Sequence, residues 1–421
     1  MISDPGKNKN LSVQAQALYA AHLEQEKNAP LVAQLYSEFN SNNRQTLFQS
    51  LAEPNDTLFM LVKTVLEQRH ILALSEGKDS VLESAVQRNV DPIHWKNLFR
   101  SPQTLKTRTD FAKHYSQNRK DALHLKNFYP WDFWLQSPAE VAVDPQRIAL
   151  TTAPQKLIAN FLECLGLADL TTRFTWISNN NTTAARLDFD SAGAFKPSLY
   201  IAESQNPTLA DAALMAHEVG RIVQALLRVQ PTPDTLAIPS PLSEIVPLLF
   251  QKLFLSPAVL ATLTGRDAAN IKPIMDFLQH EHQESLARSL CTLEFEIQMY
   301  EWIATSEFTP SMVASGWRHL KQQYYGFESA VELDASWQGN VFYVLYAPFY
   351  RRNFVLAEVL TNLLCHDLTG PAQLSRRMPM LLQQISAKGS KTTWRDVQKA
   401  WPQVPTHLPD FLAAVTKILD K

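Results

Sequence analysis

Glycine is scarce in this chain, 11 of 421 residues. That is about 3% against a usual ~7%, which leaves few positions for the positive-φ turns that hairpins and phosphate loops need. A mostly helical chain follows. Cysteine is also sparse: Cys164, Cys291 and Cys365 are far apart and odd in number. They form neither a disulfide framework nor a zinc-ribbon spacing, so free thiols in a reducing compartment are expected. Basic residues never gather beyond pairs such as Arg351-Arg352 and Arg376-Arg377, and 39 Lys and Arg face 41 Asp and Glu for a net charge of −2. Nucleic acid is excluded as a partner. The longest apolar stretch, Ile245 to Leu263, is broken by Gln251, Lys252 and Pro257, short of a membrane span. Met1 to Asn8 leads into no secretory apolar core. The expectation is a soluble, cytoplasmic protein with no membrane partner. Ser191-Ala192-Gly193 lacks the Gly-x-Ser-x-Gly elbow of a serine hydrolase, and no glycine-rich phosphate loop occurs.

What is present is ordinary globular material, 45% hydrophobic and 19% charged, which excludes disordered and coiled-coil classes. From Leu11 to about Arg100, apolar residues recur at three and four positions, with polar breaks near Asn28 to Pro30, Ser41 to Asn43 and Pro54 to Asp56. This predicts short antiparallel helices, then another from Pro102 to Leu125. Asn127 to Trp134 crowds aromatics beside Pro130 and predicts a packed corner between two lobes. Arg173 to Ser178 and Ala185 to Phe189 alternate about the turn residues Asn179 to Asn181, predicting a hairpin, and Ser198 to Ala202 is a third strand. Longer helices are expected over Leu209 to Val229, Leu242 to Leu255, Ile271 to Ile303, Pro310 to Tyr325, Ala347 to Leu364 and Pro409 to Leu419.

One motif carries chemistry. His217-Glu218-Val219-Gly220-Arg221 lies on the alanine-rich helix. In a zinc peptidase, histidines at i and i+4 share a helical face and the intervening glutamate activates a metal-bound water. Here the i+4 residue is arginine. His280 and His282 stand two apart, so a helix points them in different directions and a solvated face is expected.

The surroundings of the first motif strengthen it. A strand precedes its helix, Glu244 follows His217 by 27 residues, Tyr129-Pro130-Trp131-Asp132-Phe133 lies upstream, and Phe342 to Phe354 is rich in tyrosine. Together these resemble the glutamate-type zinc peptidases that include oligoendopeptidase F, thimet oligopeptidase and angiotensin-converting enzyme. The resemblance runs from about Tyr129 to the C-terminus. It implies a mainly α, two-lobed helical zinc-peptidase fold around a deep cleft, with one small antiparallel sheet beside the metal-site helix. A helical N-terminal region, 1–126, would precede a peptidase-like domain, 127–421, carrying the sheet near 171–203 and the motif helix near 209–229.

By the same resemblance His217 and Glu244 match metal ligands and Glu218 matches the general base. Three positions depart from the pattern. Arg221 replaces the second histidine, the family's downstream histidine falls near Tyr343, and its oxyanion-stabilising tyrosine falls on Asn353 or Phe354, with Tyr346 and Tyr350 close enough to substitute. Tyr343, Tyr350 and Asn353 are the expected substrate-binding residues, and Tyr346 and Tyr350 the candidate catalytic phenols beside Glu218. A guanidinium has no lone pair for a metal, so tightly held zinc is not expected, and Arg221 is expected to pair with Glu244 or Glu218 instead. The reading is a catalytically impaired pseudopeptidase binding peptides or a protein partner, of unassigned oligomeric state. The alternatives are an active zinc-dependent oligopeptidase with an atypical metal site and a helical scaffold without cleft function.

Overall fold

In the computed structural model, residues 12–419 are described except 37, 39, 52–53, 86–92, 180–182, 191–192, 203, 205, 229–231, 233–241, 329–335, 369–370, 403 and 405–407. The N-terminal part comprises α1 (Val13–Leu35), α2 (Ser41–Leu51), α3 (Asp56–Ser75), α4 (Val81–Ala85), α5 (Trp95–Arg100) and α6 (Pro102–Leu123). The chain continues through α7 (Pro138–Val143) and α8 (Pro154–Cys164) to strands β1 (Thr175–Asn179), β2 (Ala184–Phe189) and β3 (Phe195–Ala202). Then come α9 (Leu209–Leu226), α10 (Ile245–Phe254), α11 (Pro257–Thr264), α12 (Ala268–Ala304) and α13 (Pro310–Tyr325). The last elements are α14 (Phe342–Tyr346), α15 (Arg351–Asp367), α16 (Pro371–Ser386), α17 (Trp394–Ala400) and α18 (Leu408–Leu419).

The helix starts follow from side chains that take the orphan N–H groups of a first turn. Ser12 accepts from Ala15 N, Asn55 from Leu58 N and Thr309 from Met312 N. Thr208 and Asp211 form a reciprocal capping box that opens α9. Gly265 and Gly326 end α11 and α13 in the left-handed conformation.

Four expectations shift. Helix α1 runs through Pro30 rather than breaking there; a proline removes one intrahelical bond and bends a helix, and packing against α2 and α3 can carry that loss. The three-stranded sheet is mixed, in the order β1-β3-β2: β1 runs parallel to β3 and β2 antiparallel to it. The hairpin is therefore β2–β3, closed by Asp190 N–H donating to Ala194 O and Gly193 N–H to Asp190 O, and not β1–β2, because a crossover places β3 between them. The predicted turn residues Asn180 and Asn181 and the expected end of α9 at Val229 lie outside the described residues. Glu244 sits in a 3-10 turn, Leu242–Glu244, ahead of α10. The helix expected from Ala347 begins at Arg351, because Phe349 adopts φ 56° and breaks the run after α14.

The aromatic corner forms as expected. Phe128 and Trp131 are buried, and Tyr129 stacks on Trp131 with centroids 4.6 Å apart. What fixes it is an ion pair invisible to periodicity: Arg44 of α2, 1% exposed, donates through Nε and Nη2 to Asp132 Oδ1, with Nε 3.1 Å away. The other Asp132 oxygen accepts from Tyr129 N at 3.0 Å. Cys164, Cys291 and Cys365 are free, and among the described residues no single helix is long and apolar enough to cross a membrane.

Removing Arg44 strands a carboxylate that is 1% exposed. Arg44→Met is expected to cost about 3–5 kcal/mol, read as a lower denaturation midpoint in guanidinium chloride, with Asp132→Asn in the same background recovering part of the loss.

Candidate active site

Helix α9 buries Ala212, Ala216, Val219 and Val223, leaving His217, Glu218 and Arg221 half-buried. It crosses α10 closely at Gly220. A Cβ at that position would lie 2.8 Å from Pro247 Cα and 3.0 Å from Val246 O, below ordinary contact. The close crossing brings Glu244, 1% exposed, opposite Arg221.

Arg221 then bridges two carboxylates. Its Nη2 donates to Glu244 Oε2 at 2.9 Å and Oε1 at 3.2 Å, and its Nε to Glu218 Oε1 at 3.3 Å. Glu218 also faces His217 Nδ1 at 3.0 Å and accepts from Ala185 N of the edge strand β2 at 2.9 Å. Tyr350, at the start of α15, donates its hydroxyl to Glu244 Oε1 at 3.0 Å. His217 Nε2 stands 3.8 Å from Glu244 Oε2. Burial pushes the Glu218 carboxyl up, but its bonds from His217 and Ala185 and the Arg221 charge outweigh burial and hold it below the usual range. Burial and the Glu244 charge both raise the Tyr350 phenol.

The structure thus joins His217, Glu218, Arg221, Glu244 and Tyr350. Tyr343 stacks on Tyr350 with centroids 5.7 Å apart, under the Arg351 guanidinium, 4.2 Å from its ring centre. Tyr346 meets Tyr350 edge-on and is 55% exposed. Asn353 is fully buried. The phenol beside Glu244 is that of Tyr350, which follows the left-handed Phe349 at φ 56°.

His217 and Glu244 line a cavity of about 630 Å³ walled by α1, α9, α10, α12 and α15. Residues that periodicity did not single out line it too: Tyr36, Asp144, Glu281, Ser285 and Glu358. Glu358 lies one and two turns beyond Phe354 and Tyr350 on one face of α15, a spacing readable in hindsight. It is paired with Lys252 at 2.5 Å. His282 also lines the cavity, half-buried, rather than standing on a solvated face as expected; His280 is exposed.

The tyrosine segment is tied to the N-terminal helices. Arg69 of α3 donates to the carbonyls of Val344 and Leu345, and Gln14 of α1 to Leu345 O at 3.0 Å. Glu296 of α12, fully buried, accepts from Phe349 N at 2.7 Å and so holds the left-handed turn before Tyr350.

With this geometry in view, the comparisons are consistent. The fold is that of the oligoendopeptidases and metallocarboxypeptidases. A protein from Chlamydophila abortus assigned as a peptidase superposes with TM-score 0.67 at 15% identity, over 99% of this chain and 74% of that one. Oligoendopeptidase-F from Enterococcus faecium gives 0.60 at 14%, over 92% of this chain and 63% of that one. Metallocarboxypeptidase 1 from Trypanosoma cruzi gives 0.57 at 11%, over 99% and 86%. No family model and no curated protein matches the chain.

A resident zinc, which the resemblance implies, does not fit these residues. A catalytic site uses three protein ligands and a water. Here one imidazole and one carboxylate remain, the third position is a cation, and that cation is bonded to the carboxylate. Among the described residues no group of three His, Cys, Asp or Glu side chains could hold a metal ion.

Two outcomes follow. Gly220→Ala must part α9 from α10 and is expected to cost about 1–3 kcal/mol, measured by thermal unfolding. Burial pushes the Glu296 carboxyl up to about 8, against the opposing effects of the Phe349 N–H and of Arg69, Arg352 and Arg351. The folded state then holds a proton that the unfolded state releases near 4.5. Its stabilisation is full below that pH and lost as pH rises through about 8. Denaturation midpoints should fall over that window, and Glu296→Gln should flatten the fall.

Proposed function

We propose that this protein is a metallopeptidase-like pseudopeptidase, a peptidase fold whose catalytic centre has become part of a peptide-binding cleft. The carrying observation is the placement of Arg221 between Glu218 and Glu244. The guanidinium supplies, by charge-assisted hydrogen bonds, the positive charge that a divalent ion would supply to the same carboxylates. Glu218 supports the reading as well. A general base needs a lone pair directed at water, whereas the Glu218 oxygens already face Ala185 N, His217 and Arg221. The cavity of about 630 Å³ beside this network is large enough for several residues of an extended peptide.

Elemental analysis of purified protein, with a quenched-peptide cleavage assay, tests the reading. The expected result is zinc well below one per chain and no cleavage abolished by Glu218→Gln. Arg221→His is expected to gain zinc with little cleavage, since the downstream histidine is missing as well. Stoichiometric zinc with cleavage that Glu218→Gln removes would replace this reading with an active oligopeptidase.

A further inference from the structure

Arg221 has five N–H donors. Its Nε–H is spent on Glu218 and its Nη2 on both oxygens of Glu244. The Nη1 amine has no partner among the described residues. It is not among the buried unpartnered atoms either, and the side chain is 35% exposed, so Nη1 is open to an incoming group. A cationic donor is thus held one helical turn from His217 and bonded to Glu244, both of which line the cavity. Resting on the peptide-binding reading above, we propose that Arg221 is itself the ligand-binding group of the cleft, its Nη1 amine donating to a neutral carbonyl oxygen of an extended peptide.

The charge count decides what that group is. One guanidinium serves two carboxylates, Glu218 and Glu244, and Tyr350 adds a neutral donor to the latter. With a neutral imidazole at His217, which also faces Glu218, the network carries a surplus negative charge before any ligand arrives. Asp144, Glu281 and Arg147 line the same cavity, the charges of Arg288 and Arg119 also act on Glu281, and Glu358 is paired with Lys252. A peptide's terminal carboxylate at Nη1 would meet like charge from Glu218 and Glu244 in a partly desolvated place. An amide carbonyl meets no such repulsion and accepts the same hydrogen bond. The ligand class is therefore an internal or amidated segment of a peptide chain rather than a free C-terminus.

The test uses the full chain and one probe in two forms: a fluorescein-labelled octapeptide pool of randomised sequence, made as the C-terminal amide and as the free acid. Fluorescence anisotropy of the unmodified protein is expected to show the amide pool binding at least as tightly as the acid pool. Arg221→Lys keeps a positive charge near Glu244 but has no second amine to offer, and should bind the amide pool at least tenfold more weakly. Side-chain 15N spectra of arginine give an independent readout, with the Nη signals absent from Arg221→Lys moving when the amide pool is added to the unmodified protein. Undiminished binding by Arg221→Lys, or Nη signals that stay still while peptide binds, would overturn this assignment and leave the peptide-binding reading standing. Acid-pool binding tenfold tighter than amide would overturn the neutral-carbonyl assignment. Binding of neither pool would remove the peptide-binding reading and this assignment with it.

Discussion

The site is organised by the need to keep Glu244 satisfied. A carboxylate that is 1% exposed has lost its hydration and must recover it from donors and positive charge. In this chain the recovery comes from the two N–H groups of Arg221 Nη2 and the Tyr350 hydroxyl. Each donor is then constrained in turn. Arg221 can reach Glu244 only because α9 and α10 touch at Gly220, and Tyr350 only because the chain reverses at Phe349, where a left-handed non-glycine residue is held by a buried glutamate.

The same logic links the N-terminal helices to the site without any of their residues entering the Arg221 network. Arg69 and Gln14 bind the last carbonyls of α14, which would otherwise be the unsatisfied end of a short helix. Arg44 secures the Trp131-Asp132 corner from the other side. The N-terminal region therefore supports the tyrosine segment and the corner, while the cleft walls are contributed mainly by α9, α10, α12 and α15.

An arginine at position 221, one turn beyond His217, has an asymmetric physical result. The carboxylates keep a counter-charge, so the fold can persist, but a guanidinium has no vacant coordination position and cannot acidify a water as a metal can. Glu218 ends as an acceptor for Ala185, His217 and Arg221. The binding role proposed for the cavity rests on this contrast.

Helical class and most helix positions were legible in the sequence, because low glycine and apolar spacing are local properties; pairing of Arg221 with Glu244 or Glu218 was expected through the family resemblance, and only the fold brings both carboxylates to it. The helix through Pro30 was not, since propensity counts the lost bond and cannot see neighbouring helices. Nor was the mixed sheet: strand alternation marks β1, β2 and β3 but is silent on which pairs with which, and the crossover that inserts β3 is a tertiary event. Tyr350 was a candidate in the sequence, but the left-handed turn at Phe349 just before it was not legible, because local propensity disfavours that conformation. His282, Glu281 and Glu358 joined the cavity for a similar reason. Which face of a long helix meets a void is decided by the helices around it, and only the folded chain contains that information.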